Sequence, residues 1–185
     1  MIRVVFALLR GLLVKLRYAW FRPNTIIGPD FRAYTFIRIK GPGKVIIGKK
    51  VSMDYVFLRN PTIITHTKDA VVRIGDGCYL GGIRISCVDS VTIGSENHMG
   101  GTTVMDSDII PHQYIRMDEH WKKMHVRPVA IGSYVWTGIN SYVLRGSTLH
   151  DEVVLGSGSV VREKEVPERT LMVGNPARKI GRTRE

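Results

Sequence analysis

IGSYVWTGINSYVLRGSTLHDEVVLGSGSVV, residues 131–161, decides the fold. Taken in sixes, it sets Ile131, Thr137, Val143, Leu149, Leu155 and Val161 at one recurring position. Four residues beyond the first five of these stand Val135, Ser141, Ser147, Val153 and Ser159, all small or β-branched. Gly132, Gly138 and Gly156 follow the recurring position directly. A period of six suits neither an α-helix nor the alternation of a simple hairpin sheet. It suits a solenoid whose unit is one short strand and one tight corner, with three units closing a triangular coil. The aliphatic residue then points inward and stacks on its counterpart one coil away. The small residue fits a crowded corner, and the glycine is expected to supply positive φ where the chain turns.

Toward the N-terminus the pair Ile-Gly returns at Ile27-Gly28, Ile47-Gly48, Ile74-Gly75, Ile93-Gly94 and Ile131-Gly132. The intervals are 20, 27, 19 and 38 residues, each near one or two coils of 18 plus small excursions. Between the pairs lie runs rich in β-branched residues, at 36–39, 45–47, 63–65 and 71–74, which extend the solenoid in degenerate form. From Ile93 the sixes sharpen, with Met99 and Met105 expected inward. The chain thus divides into an N-terminal helix (1–22), a solenoid (23–172) and a basic C-terminal tail (173–185), with no second domain.

Residues 2–22 are helical in pattern, and Pro23-Asn24 stops them. The apolar run is cut by Arg10, Lys15 and Arg17, too short and too charged for a transmembrane span, and no cleavage site of a signal peptide follows. At helical spacing Val5, Leu8, Leu9, Leu12, Leu13, Leu16 and Trp20 share one broad face, and Arg3, Arg10 and Arg17 line the other. Two readings fit. One is an interfacial anchor on an anionic membrane surface. The other is a helix packed on the solenoid or on a neighbouring subunit, its charges merely solvated.

Lys and Arg number 27 against 16 Asp and Glu, a net charge of +11 that predicts an anion-attracting surface. No nucleic-acid motif accompanies it. Cys78 and Cys87 form neither a metal nor a redox motif and are expected inside the coil, consistent with a reducing, cytoplasmic compartment. The period disappears between 106 and 130, in DSDIIPHQYIRMDEHWKKMHVRPVA, which carries three of the six histidines. A loop this long in a regular solenoid is a candidate for function.

The sixes, together with GSGSVV (156–161), Val166-Pro167 and VGNPARKIGR (173–182), resemble the hexapeptide-repeat acyltransferases, and the sugar O-acetyltransferases among them most. The resemblance implies a mainly β fold, a left-handed parallel β-helix, with the handedness taken from the family. It implies transfer of an acetyl or other acyl group from coenzyme A to a hydroxyl of a sugar or of a glycolipid or polysaccharide precursor. It further implies a homotrimer with sites at subunit boundaries, and a histidine as general base, since imidazole titrates near neutrality. The family's Asp-x-Asp-x-His-Pro corresponds to Asp106-Ser107-Asp108 through Pro111, where Ile110 replaces the histidine. His112 is therefore the first candidate base and His98 the second, ahead of His120 and His125. Asp106 and Asp108 would orient it, or simply cap a turn. YVWTGIN resembles the family's Val-Trp-Ile-Gly segment and brings Trp136 to the cleft, or to a subunit boundary as a packing residue. For acetyl-CoA the resemblance implies Gly156, Ser157 and Ser159 along the pantetheine arm and Arg162, Lys164, Arg178 and Arg182 near the phosphates. The amphipathic helix inclines the acceptor toward polysaccharide assembly at the inner membrane face. Two alternatives remain: a γ-type carbonic anhydrase holding zinc through His98, His120 and His125, and a non-catalytic basic solenoid that binds nucleic acid or acidic polymer.

Overall fold

The computed structural model describes residues 2–56, 58–108 and 125–183. Three parallel sheets form the walls of a triangular prism, and each takes every third strand of the chain. The first wall stacks β1 (Thr25–Ile27), β4 (Lys44–Ile47), β7 (Val71–Ile74), β10 (Ser90–Ile93), β13 (Val129–Ile131), β16 (Thr148–Leu149) and β19 (Glu165–Val166). The second stacks β2 (Arg32–Ala33), β5 (Ser52–Asp54), β8 (Tyr79–Gly81), β11 (His98–Gly100), β14 (Trp136–Thr137), β17 (Val154–Leu155) and β20 (Thr170–Val173). The third stacks β3 (Arg38–Lys40), β6 (Thr62–Thr65), β9 (Arg84–Cys87), β12 (Thr103–Met105), β15 (Tyr142–Val143) and β18 (Val160–Val161).

Each wall contributes one inward ladder. On the first wall Ile27, Ile47, Ile74, Ile93, Ile131, Leu149 and Val166 pair in succession. The second wall runs Met53, Leu80, Met99, Thr137, Leu155, Met172, and the third Ile39, Ile63, Ile85, Val104, Val143, Val161. All of these side chains are buried, and their stacking is the hydrophobic core. Cys78 and Cys87 are buried in it as free thiols.

Three expectations change. Met105 is only half-buried, because the coil side after Met99 is one residue short and Val104 takes the inward place. The 38-residue interval is one coil with a detour, since Ile93 pairs directly with Ile131. The glycines after the inward residue do not carry positive φ. That conformation falls two residues later, on Asp30, Lys50, Glu96, Tyr134 and Asn140. Gly28, Gly48, Gly75, Gly94 and Gly132 are required instead by close stacking of backbone on backbone: a Cβ on Gly94 would lie 2.6 Å from the Gly132 carbonyl oxygen.

The C-terminal residues are also more than a tail. β21 (Arg178–Arg182) folds back antiparallel on β20 and closes the second wall. At the other end, α1 (Ile2–Phe21) packs across the first coil through Ala7, Gly11 and Tyr18. A side chain at position 11 would collide with the Phe31 carbonyl. Arg10 donates to the Tyr34 carbonyl (2.9 Å), Arg22 to that of Gly41 and Tyr18 Oη to that of Ile37 (3.1 Å), while the Ile39 amide donates to Tyr18 Oη (2.9 Å). The helix thus satisfies the edge groups that the first coil would otherwise leave open. Arg3 pairs with Asp54 at 3.2 Å. Arg10, one of the helix arginines that the packed reading leaves solvated, therefore bonds the solenoid, Arg3 reaches Asp54 while staying exposed, and most of the apolar stripe faces away. Among the described residues no helix is long and apolar enough to cross a membrane.

Candidate active site

Five residues after the isoleucine of successive Ile-Gly pairs come Tyr79, His98 and Trp136. Equal spacing places them in register on β8, β11 and β14, pointing outward on the second wall. The rings of Tyr79 and His98 stack with centroids 5.8 Å apart at 27°. Together with Gly138, Ile139 and Ser157 they line a groove of about 160 Å³. No hydrogen bond from a described residue ties up the His98 ring nitrogens. The floor is thin: a Cβ on Gly138 would come within 2.5 Å of the Ser157 amide nitrogen, so only glycine fits there. Gly158 is exposed with φ of +71° and open space around it.

Buried polar groups hold this wall rigid. Asn97, next to His98, donates to the carbonyls of Gly94 and Gly132, both at 2.9 Å, and accepts from the Val135 amide at 2.6 Å. It therefore ties the coil of His98 to the coil of Trp136. Behind the groove the hydroxyl of Thr137, an inward ladder residue, bonds that of Thr102. Tyr79 and Asn97 were missed from the sequence, although the five-residue offset from Ile-Gly would have found Tyr79.

The structure brings together some expected site residues and separates others. His98, Trp136 and Ser157 share the groove, with Gly156 beside it. Above Trp136 the outward row continues through Val154 and Leu171 to Gly181 on β21, between exposed Arg178 and Arg182. Ser159 is fully buried, with its hydroxyl inside the coil, so its side chain is closed to a ligand outside. Arg162 is exposed and bonds Asp108 at 3.0 Å. Lys164 is half-buried, its carbonyl accepting from the Thr148 amide at 3.0 Å.

Neither aspartate serves a histidine of the groove. Asp106 is buried and accepts from the Val88 amide (2.8 Å), the Asp89 amide (2.7 Å) and the Cys87 thiol (3.5 Å), which is the turn-capping role. Burial raises its carboxyl above the ordinary range, and the amide bonds oppose that shift. Asp108 pairs with buried Arg145 and with Arg162, and lies 3.8 Å from Nδ1 of His125. Arg145 also meets Glu163. The bridge between Ser107 and Val126 joins the two stems of the loop. His112 and His120 lie outside the described residues. His125 stands at the loop base rather than beside His98, and no cluster of three metal ligands occurs among the described residues.

The comparisons with known proteins agree on architecture. The polysialic acid O-acetyltransferase OatWY superposes with a TM-score of 0.65 at 20% identity, covering 87% of this chain and 78% of that one. A hexapeptide-repeat acetyltransferase of Vibrio cholerae in complex with acetyl-CoA superposes with a TM-score of 0.56 at 20% identity, covering 99% and 85%.

The chain has the left-handed β-helix fold of the hexapeptide-repeat acetyltransferases.

Among curated sequences, a protein of Escherichia coli named for O-acetyl transfer in lipopolysaccharide biosynthesis is 30% identical over 107 residues, 53% of each chain. A protein of Staphylococcus aureus named as an acetyltransferase is 37% identical over 70 residues, 38% of this chain and 34% of that one. The chain spans about a third to a half of the length of these two relatives. No protein-family model matches it. Within the hexapeptide-repeat fold, the His98 groove is an outward feature of the second wall.

Proposed function

We propose that the chain transfers an acetyl group from acetyl-CoA to a hydroxyl of a sugar, within a glycolipid or polysaccharide precursor. The observation that carries this reading is the row His98, Trp136, Val154, Leu171, Gly181, which joins a histidine groove to the two arginines of β21. Four strand spacings separate its ends, about 19 Å, a length suited to an extended pantetheine arm. Gly138, Gly156 and Ser157 keep the path low, while Arg178 and Arg182 meet the phosphates. The neighbour that carries acetyl-CoA and the relatives named for O-acetyl transfer support the choice of donor and acceptor.

His98 acts as general base. It takes the acceptor hydroxyl proton as that oxygen bonds to the thioester carbonyl carbon. The carbon–sulfur bond then breaks, and the departing thiolate receives the proton from the imidazolium, leaving an acetyl ester and free coenzyme A. His112 is the second reading, favoured by its place one residue beyond Pro111 in the loop motif. The open side of the groove, with Trp136 exposed, is closed by a neighbouring copy in a homotrimer. The protein works at the cytoplasmic face of the membrane.

The test is acceptor-dependent release of thiol from acetyl-CoA by the purified full chain, offered hexoses, N-acetylhexosamines and sialic acids. An acetylated acceptor, seen by mass, is expected with at least one of them. Failure to bind coenzyme A at all would overturn the reading.

A further inference from the structure

Two adjoining pockets lie where the last turn of α1 meets the third wall. One, of about 460 Å³, is lined by Arg17, Arg22, Arg38 and Lys40 with Phe21 and Phe36. The next, of about 210 Å³, shares Phe36 and Arg38 and adds Arg59 and Arg84. Six cations thus line a continuous surface on which no carboxylate appears. Arg17, Arg38, Lys40, Arg59 and Arg84 make no ion pair with a described residue. Local like charge of this density is unfavourable unless an anion occupies it.

The pockets adjoin the helix whose apolar side is turned outward. Leu13, Leu16, Trp20 and Phe21 are 67%, 58%, 83% and 75% exposed, and Leu58 on the neighbouring excursion is 89% exposed. Scattered single hydrophobes need no explanation, but a contiguous helix face does. Residues 2–22 contain no acidic residue, so a self-complementary contact with a second copy would oppose cation to cation.

We propose that this end of the prism is a docking surface for an anionic phospholipid bilayer, with the two basic pockets receiving lipid phosphates. The apolar face of α1 lies in the interface, and the cations beside it reach the headgroups, as long basic side chains do at membrane boundaries. No lining residue of either pocket lines the His98 groove. The proposal therefore holds whether or not that groove transfers an acyl group.

Flotation of the full chain with two kinds of vesicle tests it: phosphatidylcholine alone, and equimolar phosphatidylcholine and phosphatidylglycerol. The wild type is expected to float with the anionic vesicles only, and less as salt is raised. Arg38→Gln/Lys40→Gln should weaken binding roughly thirtyfold through loss of two surface cations, with thiol release from acetyl-CoA unchanged. Leu13→Ser/Trp20→Ser should weaken it through the apolar face. Equal binding to both vesicles, no binding to either, or a doubly neutralised variant that floats like the wild type would each overturn the proposal. Loss of self-association in Leu13→Ser/Trp20→Ser, with no flotation of the wild type, would assign the face to a second copy instead.

Discussion

Trp136 stands directly opposite His98 on the adjacent parallel strand, and Tyr79 stacks on His98 from the strand on its other side. The histidine thus stands in register between two aromatic residues, on a wall that Asn97 ties from coil to coil. Trp136→Ala removes one flank and leaves the inward ladder intact. It is expected to raise KM roughly tenfold, the value of one aromatic contact, with the melting temperature nearly unchanged. Steady-state kinetics in acetyl-CoA and in acceptor would locate the loss.

Arg145 is 8% exposed at its side chain and lies between Asp108 and Glu163. Removing one carboxylate from a buried cation leaves its charge under-compensated. Asp108→Ala should therefore destabilise the fold by about 3 kcal/mol, read from urea denaturation. Asp106→Asn should weaken the turn at 87–89 without altering any residue of the groove. An Asp108→Ala protein as stable as the wild type would remove the loop stem from the structural account.

Positive φ and close approach make opposite predictions at one corner. Gly94 has no positive φ but no room for a Cβ, so Gly94→Ala should cost about 1–3 kcal/mol through a shifted coil. Tyr134 is exposed with φ of +58°. Tyr134→Gly relieves the left-handed strain and should be neutral or slightly stabilising. Thermal melts of the two variants distinguish them.

Burial raises the thiols of both Cys78 and Cys87, and the nearby Asp106 charge adds to the effect at Cys87. Above about pH 9, the ordinary thiol value, the unfolded chain loses these protons while the folded chain keeps them. The unfolded state then binds fewer protons, so stability falls as pH rises. The slope of the urea midpoint against pH in that range should be smaller in Cys78→Ala/Cys87→Ala than in the wild type. Equal slopes would contradict burial as the controlling cause.

The inward ladder was visible in the residue order because a period of six has few other physical solutions, and all six recurring positions from Ile131 to Val161 are buried. The outward row was visible only in part. His98 and Trp136 were singled out separately, and nothing but the coil register shows that they are neighbours. Arg162 and Asp108 were assigned to different tasks because 54 residues separate them. Their pairing follows from the stacking of the third wall, which no local pattern contains. Ser159 misled for a related reason: a serine in a glycine-rich run looks exposed, but its place in the six turns it inward. The helix pattern allows a membrane anchor or a packed helix with solvated charges, and it does not show that Arg10 and Arg22 bond the open carbonyls of the first coil.

The most direct measurement is the rate of acetyl transfer by His98→Ala, compared with His112→Ala, alongside coenzyme A affinity and melting temperature in the same preparations. The account predicts that His98→Ala folds, binds coenzyme A as the wild type does and transfers acetyl roughly 10²–10⁴-fold more slowly. A folded His98→Ala protein with the wild-type rate, especially beside an inactive His112→Ala protein, would contradict it and move the base into the loop.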